Sequence, residues 1–153
     1  MNIEIRRARA DEADLLTRLS MRSKQSNGYD DAFMEACRVE LTVTAARMEE
    51  GEYWVAAADG ILGCVCLVDD GDGSGEVHAF FIDPDHQRRG IGRRLWQKVV
   101  ERARILGIER LSLDADPGAV PFYEALGFVT VGAAPSGSIT GRSLPRMHIV
   151  LGA

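Results

Sequence analysis

At 153 residues, 46% of them apolar and 27% charged, the chain has the size and balance of one globular domain over residues 1–153. Its net charge of −5 argues against a nucleic-acid or anionic-membrane partner, and no apolar run approaches a membrane span. Three cysteines are too few for a disulfide framework, and the start MNIEIRR lacks an apolar signal core, so a cytoplasmic protein is expected.

Ile3 and Ile5 alternate with polar neighbours between Asn2 and Ala8, which predicts a first strand. Asp11, with Asp14 three residues on, predicts a helix start, and Leu15, Leu16 and Leu19 supply its apolar stripe. Asn27-Gly28 breaks that pattern. Asp30 or Asp31 then caps a helix carrying Phe33, Cys37 and Leu41 on one face, continuing to Glu50 with a kink near Thr42–Thr44. Tyr53–Ala58 and Ile61–Val68 are apolar runs joined by Asp59-Gly60, a hairpin signal. Cys64 and Cys66 share one face of the second run and read as small buried side chains. A glycine-aspartate turn leads to a fourth strand, Glu76–Ile82. Strict alternation puts Glu76, His78, Phe80 and Ile82 on one face, with Val77, Ala79 and Phe81 on the other.

Asp83-Pro84 ends that strand, and a helix with Ile91, Leu95, Val99 and Ala103 on one face runs to Gly107. A short strand, Arg110–Leu113, is followed by a helix opened by Pro117 and closed by Gly127. Phe128–Ala133 and Leu144–Leu151 predict two last strands around a long Gly/Ser/Pro loop. The order describes a mixed α/β domain whose central strands come as meanders.

The block Gln87-Arg88-Arg89-Gly90-Ile91-Gly92-Arg93 lies between strand and helix. Free N–H groups at a helix start, the helix dipole and glycine's lack of a side chain together make an anion site, and the arginines suit a polyphosphate. A P-loop would need Gly-Lys-Ser/Thr, and Gly92 is followed by Arg93-Arg94. A dinucleotide motif would need its first glycine directly after the strand. Only Asp114, an acid about twenty residues on, speaks for a nicotinamide-binding oxidoreductase.

The same block resembles the Gln/Arg-x-x-Gly-x-Gly signature of the GCN5-related N-acetyltransferase superfamily. The segment Val120-Pro121-Phe122-Tyr123-Glu124-Ala125-Leu126-Gly127-Phe128 resembles that superfamily's late tyrosine helix, and the 136–147 loop is similar to one in a bacterial subgroup. The resemblance implies the acyl-coenzyme A N-acyltransferase fold, a mixed, mostly antiparallel sheet flanked by helices. It implies acetyl-coenzyme A as donor and an amine of a small molecule or peptide as acceptor, reacting directly in a ternary complex, without metal. A non-catalytic acyl-coenzyme A sensor is the alternative.

On that resemblance the diphosphate sits on the N–H groups from Arg88 to Arg93, with Gln87, Arg88, Arg89, Gly90, Ile91, Gly92 and Arg93 as its site. Phe80, Phe81 and Ile82 line the pantetheine arm, a main-chain N–H such as that of Phe80 faces the oxyanion, and Phe122 lies beside the donor. Tyr123 matches the general acid, or packs against the sulfur. The base is His78, Glu76 or a water; histidine's ordinary titration range suits proton uptake. Asp116 replaces a donor-binding asparagine or caps the helix after it. Tyr29 and Arg142 are candidates for acceptor binding. Arg142 with Arg146 would suit a carboxylate, and Asp30, Asp31 and Glu35 a cation. A homodimer is also implied.

Overall fold

Hairpin turns and period-two patterning assemble a seven-stranded sheet in residues 2–152, the part that the computed structural model describes. β1 (Glu4–Arg7) is followed by α1 (Ala13–Gln25), α2 (Asp31–Leu41) and α3 (Ala45–Glu50). Next come β2 (Glu52–Ala58), β3 (Gly60–Asp69), β4 (Ser74–Ile82) and α4 (Ile91–Ile105). β5 (Arg110–Asp114), α5 (Val120–Leu126), β6 (Val129–Pro135) and β7 (Ser143–Val150) complete the order. In space the strands run β1-β2-β3-β4-β5-β7-β6. β4 and β5 are parallel, and the other neighbours are antiparallel. This is the expected mixed, mostly antiparallel sheet.

Each face buries a helix. α4 lays Ile91, Leu95, Val99 and Ala103 on Val65, Leu67, Leu111 and Met147. α1 presses Leu16 and Leu19 onto Val55, Cys64 and Cys66 on the opposite face. A fully buried leucine such as Leu16 or Leu95 contributes roughly 2 kcal/mol through the area it removes from water. The cysteines pack as small apolar groups, as expected.

Local structure departs from the sequence reading at three places. α1 is entered through a 3-10 turn at Ala10–Glu12 rather than from an Asp11 cap. There the buried Glu12 takes the Arg6 guanidinium fork at 2.9 and 2.8 Å and the Arg9 N–H at 2.7 Å. The kink near Thr42 is a full break: Thr42 is extended, and Thr44 starts α3 by accepting from the Arg47 N–H. Thr17 of α1 holds the break by accepting the N–H of buried Val43 at 2.9 Å. On α2, Asp30 is the cap, accepting from the Phe33 N–H at 2.8 Å, and Met34 joins Cys37 on the buried face.

Candidate active site

β4 and β5 run side by side only where Ser74–Glu76 meets Arg110–Ser112, among the described residues. Beyond Glu76 the strands part, and the edge of β4 from Val77 to Ile82 has no β5 partner. A cleft of about 910 Å³ occupies the gap and reaches both faces of the sheet.

β4 itself is bulged. Cys66 pairs with His78 and Cys64 with Phe81, so Ala79 and Phe80 together stand opposite Val65. Ala79 adopts φ 50°, a left-handed conformation that costs an alanine about 1 kcal/mol. One extra residue reverses every later side chain. Phe80 and Ile82 therefore pack with the α4 core, whereas Ala79 and Phe81 pack with the α1 core. This corrects the strict alternation: Glu76 and His78 lie on the face opposite Phe80 and Ile82.

At the α4 end of the cleft, the buried Asp83 organises the turn. Its carboxylate accepts the Asp85 N–H at 2.9 Å and the Arg22 guanidinium of α1 at 3.0 and 3.2 Å. Burial works against its charge, but the Asp85 N–H and the Arg22 fork outweigh that and hold it below the usual carboxylate range. Gly90 then starts α4 at φ 75°, and a Cβ there would meet nothing within 4 Å. The first helical bond runs from the Arg94 N–H to the Gly90 carbonyl at 3.1 Å, and no side chain caps the helix. The N–H groups of Ile91, Gly92 and Arg93 are therefore free to bind an anion.

The two glycines serve different ends. Gly90 provides the left-handed turn and open space. A Cβ on Gly92 would lie 3.0 Å from the Phe122 ring, so this glycine lets α5 approach α4. Gln87, Arg88 and Arg93 line the cleft. Arg89 is exposed and stands outside that lining.

Tyr123 projects from α5 into the cleft and is 8% exposed. Its ring is held edge-on by Phe80, Phe122 and Phe128 at centroid distances of 6.1, 5.4 and 5.6 Å. Among the described residues nothing hydrogen-bonds its hydroxyl. Burial, with the Asp116 carboxylate adding to it, pushes the phenol well above its ordinary range, so it stays protonated.

Across the sheet, His78 is exposed and lines the cleft with Tyr53, Cys66 and Val68. Glu40, Arg47 and Glu50 of α2 and α3 line this side together with Pro135, Gly137 and Leu144, and Gly137 packs against Glu40. Burial pushes the Cys66 thiol up to about 12, which leaves it protonated and a poor nucleophile. Glu76 is not in the lining. Both its oxygens are held by the Arg146 guanidinium, which also reaches Asp114 at 3.1 Å. That removes Glu76 from the candidate bases.

Neither Tyr29 nor Arg142 lines the cleft; they meet above it. The Arg142 guanidinium donates to the Tyr29 hydroxyl at 2.7 Å and stacks over the Tyr29 and Phe33 rings. Tyr29 in turn donates to Asp116 at 2.7 Å. Asp116 also caps the Pro117–Ala119 turn through the Gly118 N–H at 3.0 Å. Its oxygens are thus engaged by the protein, while the residue itself still lines the cleft. Arg142 and Arg146 are likewise engaged, by Tyr29 and by Glu76 with Asp114, so the two guanidinium groups are paired within the protein in this geometry. Asp30, Asp31 and Glu35 also lie outside the lining, held by the Phe33 N–H, Gln25 and Arg38. The acceptor-side residues Lys24, Tyr53 and Glu40 carried no sequence signal, since only the fold collects them. Among the described residues no group of three or more His, Cys, Asp or Glu could hold a metal ion, and no helix is long and apolar enough to cross a membrane.

A mixed sheet that splits between its fourth and fifth strands, with a glycine turn and an uncapped helix start at the mouth of the split, is the architecture of the acyl-coenzyme A N-acyltransferases. The model of the Acetyltransferase (GNAT) family matches residues 15–128, and the chain belongs to that family. Its members are acyltransferases that draw on acetyl-coenzyme A. The chain is 30% identical over 155 residues to Peptidyl-lysine N-acetyltransferase YjaB of Salmonella typhimurium, covering 98% of this chain and 99% of that one. With other curated relatives it is similar over a shorter stretch, spanning only 25% to 36% of their length. PaiA N-acetyltransferase of Thermoplasma acidophilum, solved with coenzyme A, superposes at TM-score 0.79 with 19% identity, covering 98% of this chain and 99% of that one. yncA of Salmonella typhimurium, solved with acetyl-CoA, superposes at 0.70 with 19% identity, covering 100% and 96%. The nicotinamide alternative fails on topology. A dinucleotide fold needs successive parallel crossovers, and β4–β5 is the one parallel pair among the described residues.

Proposed function

We propose that this N-acetyltransferase moves an acetyl group from acetyl-coenzyme A to a primary alkylamine, foremost a lysine side chain, by direct attack. The observation that carries the reading is the cleft through the sheet, with Tyr123 on one face and His78 on the other. Acetyl-coenzyme A, when bound, supplies the activated thioester. The free N–H groups of Ile91, Gly92 and Arg93, with Arg88 and Arg93 beside them, bind its diphosphate. The unpaired edge of β4 pairs with the pantetheine amides, and a main-chain N–H freed by the bulge, at Ala79 or Phe80, holds negative charge as it develops. Tyr123 keeps its proton until the sulfur needs it. His78 takes the proton of the amine, directly or through water. The protonated, buried Cys66 leaves no acyl-enzyme route through this cleft. The lysine assignment is supported by the roofed acceptor side and by the name of the full-length relative from Salmonella.

The test is a panel of amines and lysine peptides assayed by release of free thiol. Lysine peptides are expected to turn over best, and His78→Ala to lower kcat/KM for them by about 100-fold. Tight acetyl-coenzyme A binding with no thiol release from any amine would favour the sensor alternative and refute the transferase reading.

A further inference from the structure

The β6–β7 loop is an ordered body lying along α2. The Ser136 hydroxyl accepts the N–H groups of Ser138 and Ile139 at 3.2 and 3.1 Å, and the Ser136 N–H closes the base onto the Arg142 carbonyl at 2.7 Å. At one end the Ser138 hydroxyl donates to Glu40, against which Gly137 packs so closely that a Cβ there would lie 3.0 Å from a carboxylate oxygen. At the other end Arg142 lies over Tyr29 and Phe33, whose rings stack at 4.1 Å. Phe33 and Glu40 are seven residues apart, so the loop spans about 10 Å of helix above the acceptor side.

We propose that Tyr29, Asp116 and Arg142 form a latch that ties this loop, as the roof over the acceptor, to the turn that launches the Tyr123 helix. Tyr29 is the link. It accepts from Arg142 and donates to Asp116, so one hydroxyl joins the α1–α2 connection, the roof and the α5 turn. Asp116 is the anchor. One of its oxygens caps Gly118, and the other gathers the Tyr29 hydroxyl, Lys24 at 3.5 Å and Arg142 at 3.7 Å. The cluster is largely dry: the Asp116 and Lys24 side chains are each 15% exposed. Burial and the Asp116 carboxylate hold the Tyr29 phenol up, which keeps it a donor.

Two cations face one carboxylate here, so displacing Asp116 would leave Lys24 and Arg142 in close like-charge contact. Asp116 therefore draws the roof cation Arg142 and the α1 cation Lys24 to the turn that it caps. The consequence is specificity. With the roof latched, the acceptor half admits a slender chain end-on, while the same contact sets where α5 begins and so where Tyr123 points. Tyr29 and Arg142 lie outside the cleft lining, and Asp116 at its rim has both oxygens engaged by the protein, so all three act as positioning residues.

This inference rests on the transferase reading, and its test separates the two. Tyr29→Phe keeps the ring stack and removes the link; Asp116→Asn keeps the shape and removes the charge. In the ligand-free protein, hydrogen exchange should quicken on the order of fivefold at Ser138 and Ile139 and, together with them, at Gly118 and Ala119, with α4 unchanged. The acceptor KM should rise by a similar factor while acetyl-coenzyme A affinity holds, and the double variant should be no worse than the poorer single one. Faster exchange in the roof alone, or an unchanged acceptor KM, overturns the latch. If the wild type binds acetyl-coenzyme A but releases no thiol, the transferase reading fails, and joint or separate exchange of roof and turn still decides the coupling.

Discussion

Replacing Tyr123 by Phe separates chemistry from packing with one atom. The ring sits among Phe80, Phe122 and Phe128, contacts that phenylalanine keeps in full. Its hydroxyl has no hydrogen-bond partner among the described residues, so losing it should change folding stability by less than about 0.5 kcal/mol. Loss of a positioned general acid costs roughly 100- to 10,000-fold in rate, or about 3–5 kcal/mol of transition-state stabilisation. The deficit belongs to the transition state, so kcat and kcat/KM should fall together while acetyl-coenzyme A affinity is unchanged. The sign of the pH effect follows from the shift. A phenol raised above its ordinary 10.0 keeps its proton below that value and loses it only as pH rises through the higher one. Tyr123 therefore contributes no fall in wild-type kcat below pH 10. Thiol release measured with saturating lysine peptide, alongside urea melts, reads all of this. A kcat within about threefold of wild type would show that Tyr123 merely packs.

Two further outcomes are expected. Gly92→Ala places a Cβ 3.0 and 3.1 Å from two atoms of the Phe122 ring, which must give by a few tenths of an ångström. The strain should cost about 1–2 kcal/mol in urea melts and weaken acetyl-coenzyme A binding about tenfold by calorimetry, and unchanged binding would contradict the close approach of α4 and α5. The hydrogen bonds from Arg6 outweigh burial and, with the Arg9 N–H, hold the Glu12 carboxyl down to about 2 from an ordinary 4.5. A depressed carboxyl stabilises the fold above the unfolded value and loses that contribution as pH falls through the folded one. Glu12 should therefore contribute about 3 kcal/mol at neutral pH, declining below 4.5 and mostly gone by pH 2. Melts of wild type and Glu12→Gln that fail to converge across this range would remove the argument.

The glycine turn between β4 and α4 was legible because its signals are local. Strand end, proline, two glycines and arginines within a dozen residues permit few conformations, and the Pro117–Gly127 helix carries its own start and stop. The bulge was not legible: Ala79 at positive φ has no propensity signature, and only the pairing with Cys64 and Cys66 reveals it. One inserted residue was enough to put His78 on the wrong face. The long-range polar contacts were hidden for a related reason. Glu76 and Arg146 are 70 residues apart and Tyr29 and Asp116 are 87 apart, so their partners follow from strand order rather than from spacing. Tyr29 and Arg142 drew attention singly, as an aromatic and a cation in loops. Their joint role above the cleft needed the β6–β7 loop to fold onto α2.

The central claim, that the split between β4 and β5 seats the thioester between Tyr123 and His78, is tested most directly by a crystal structure with acetyl-coenzyme A. The diphosphate should lie on the N–H groups of Ile91–Arg93, the pantetheine along Val77–Ile82, and the sulfur within hydrogen-bond reach of the Tyr123 hydroxyl. A diphosphate bound elsewhere, or a sulfur remote from Tyr123, would contradict it.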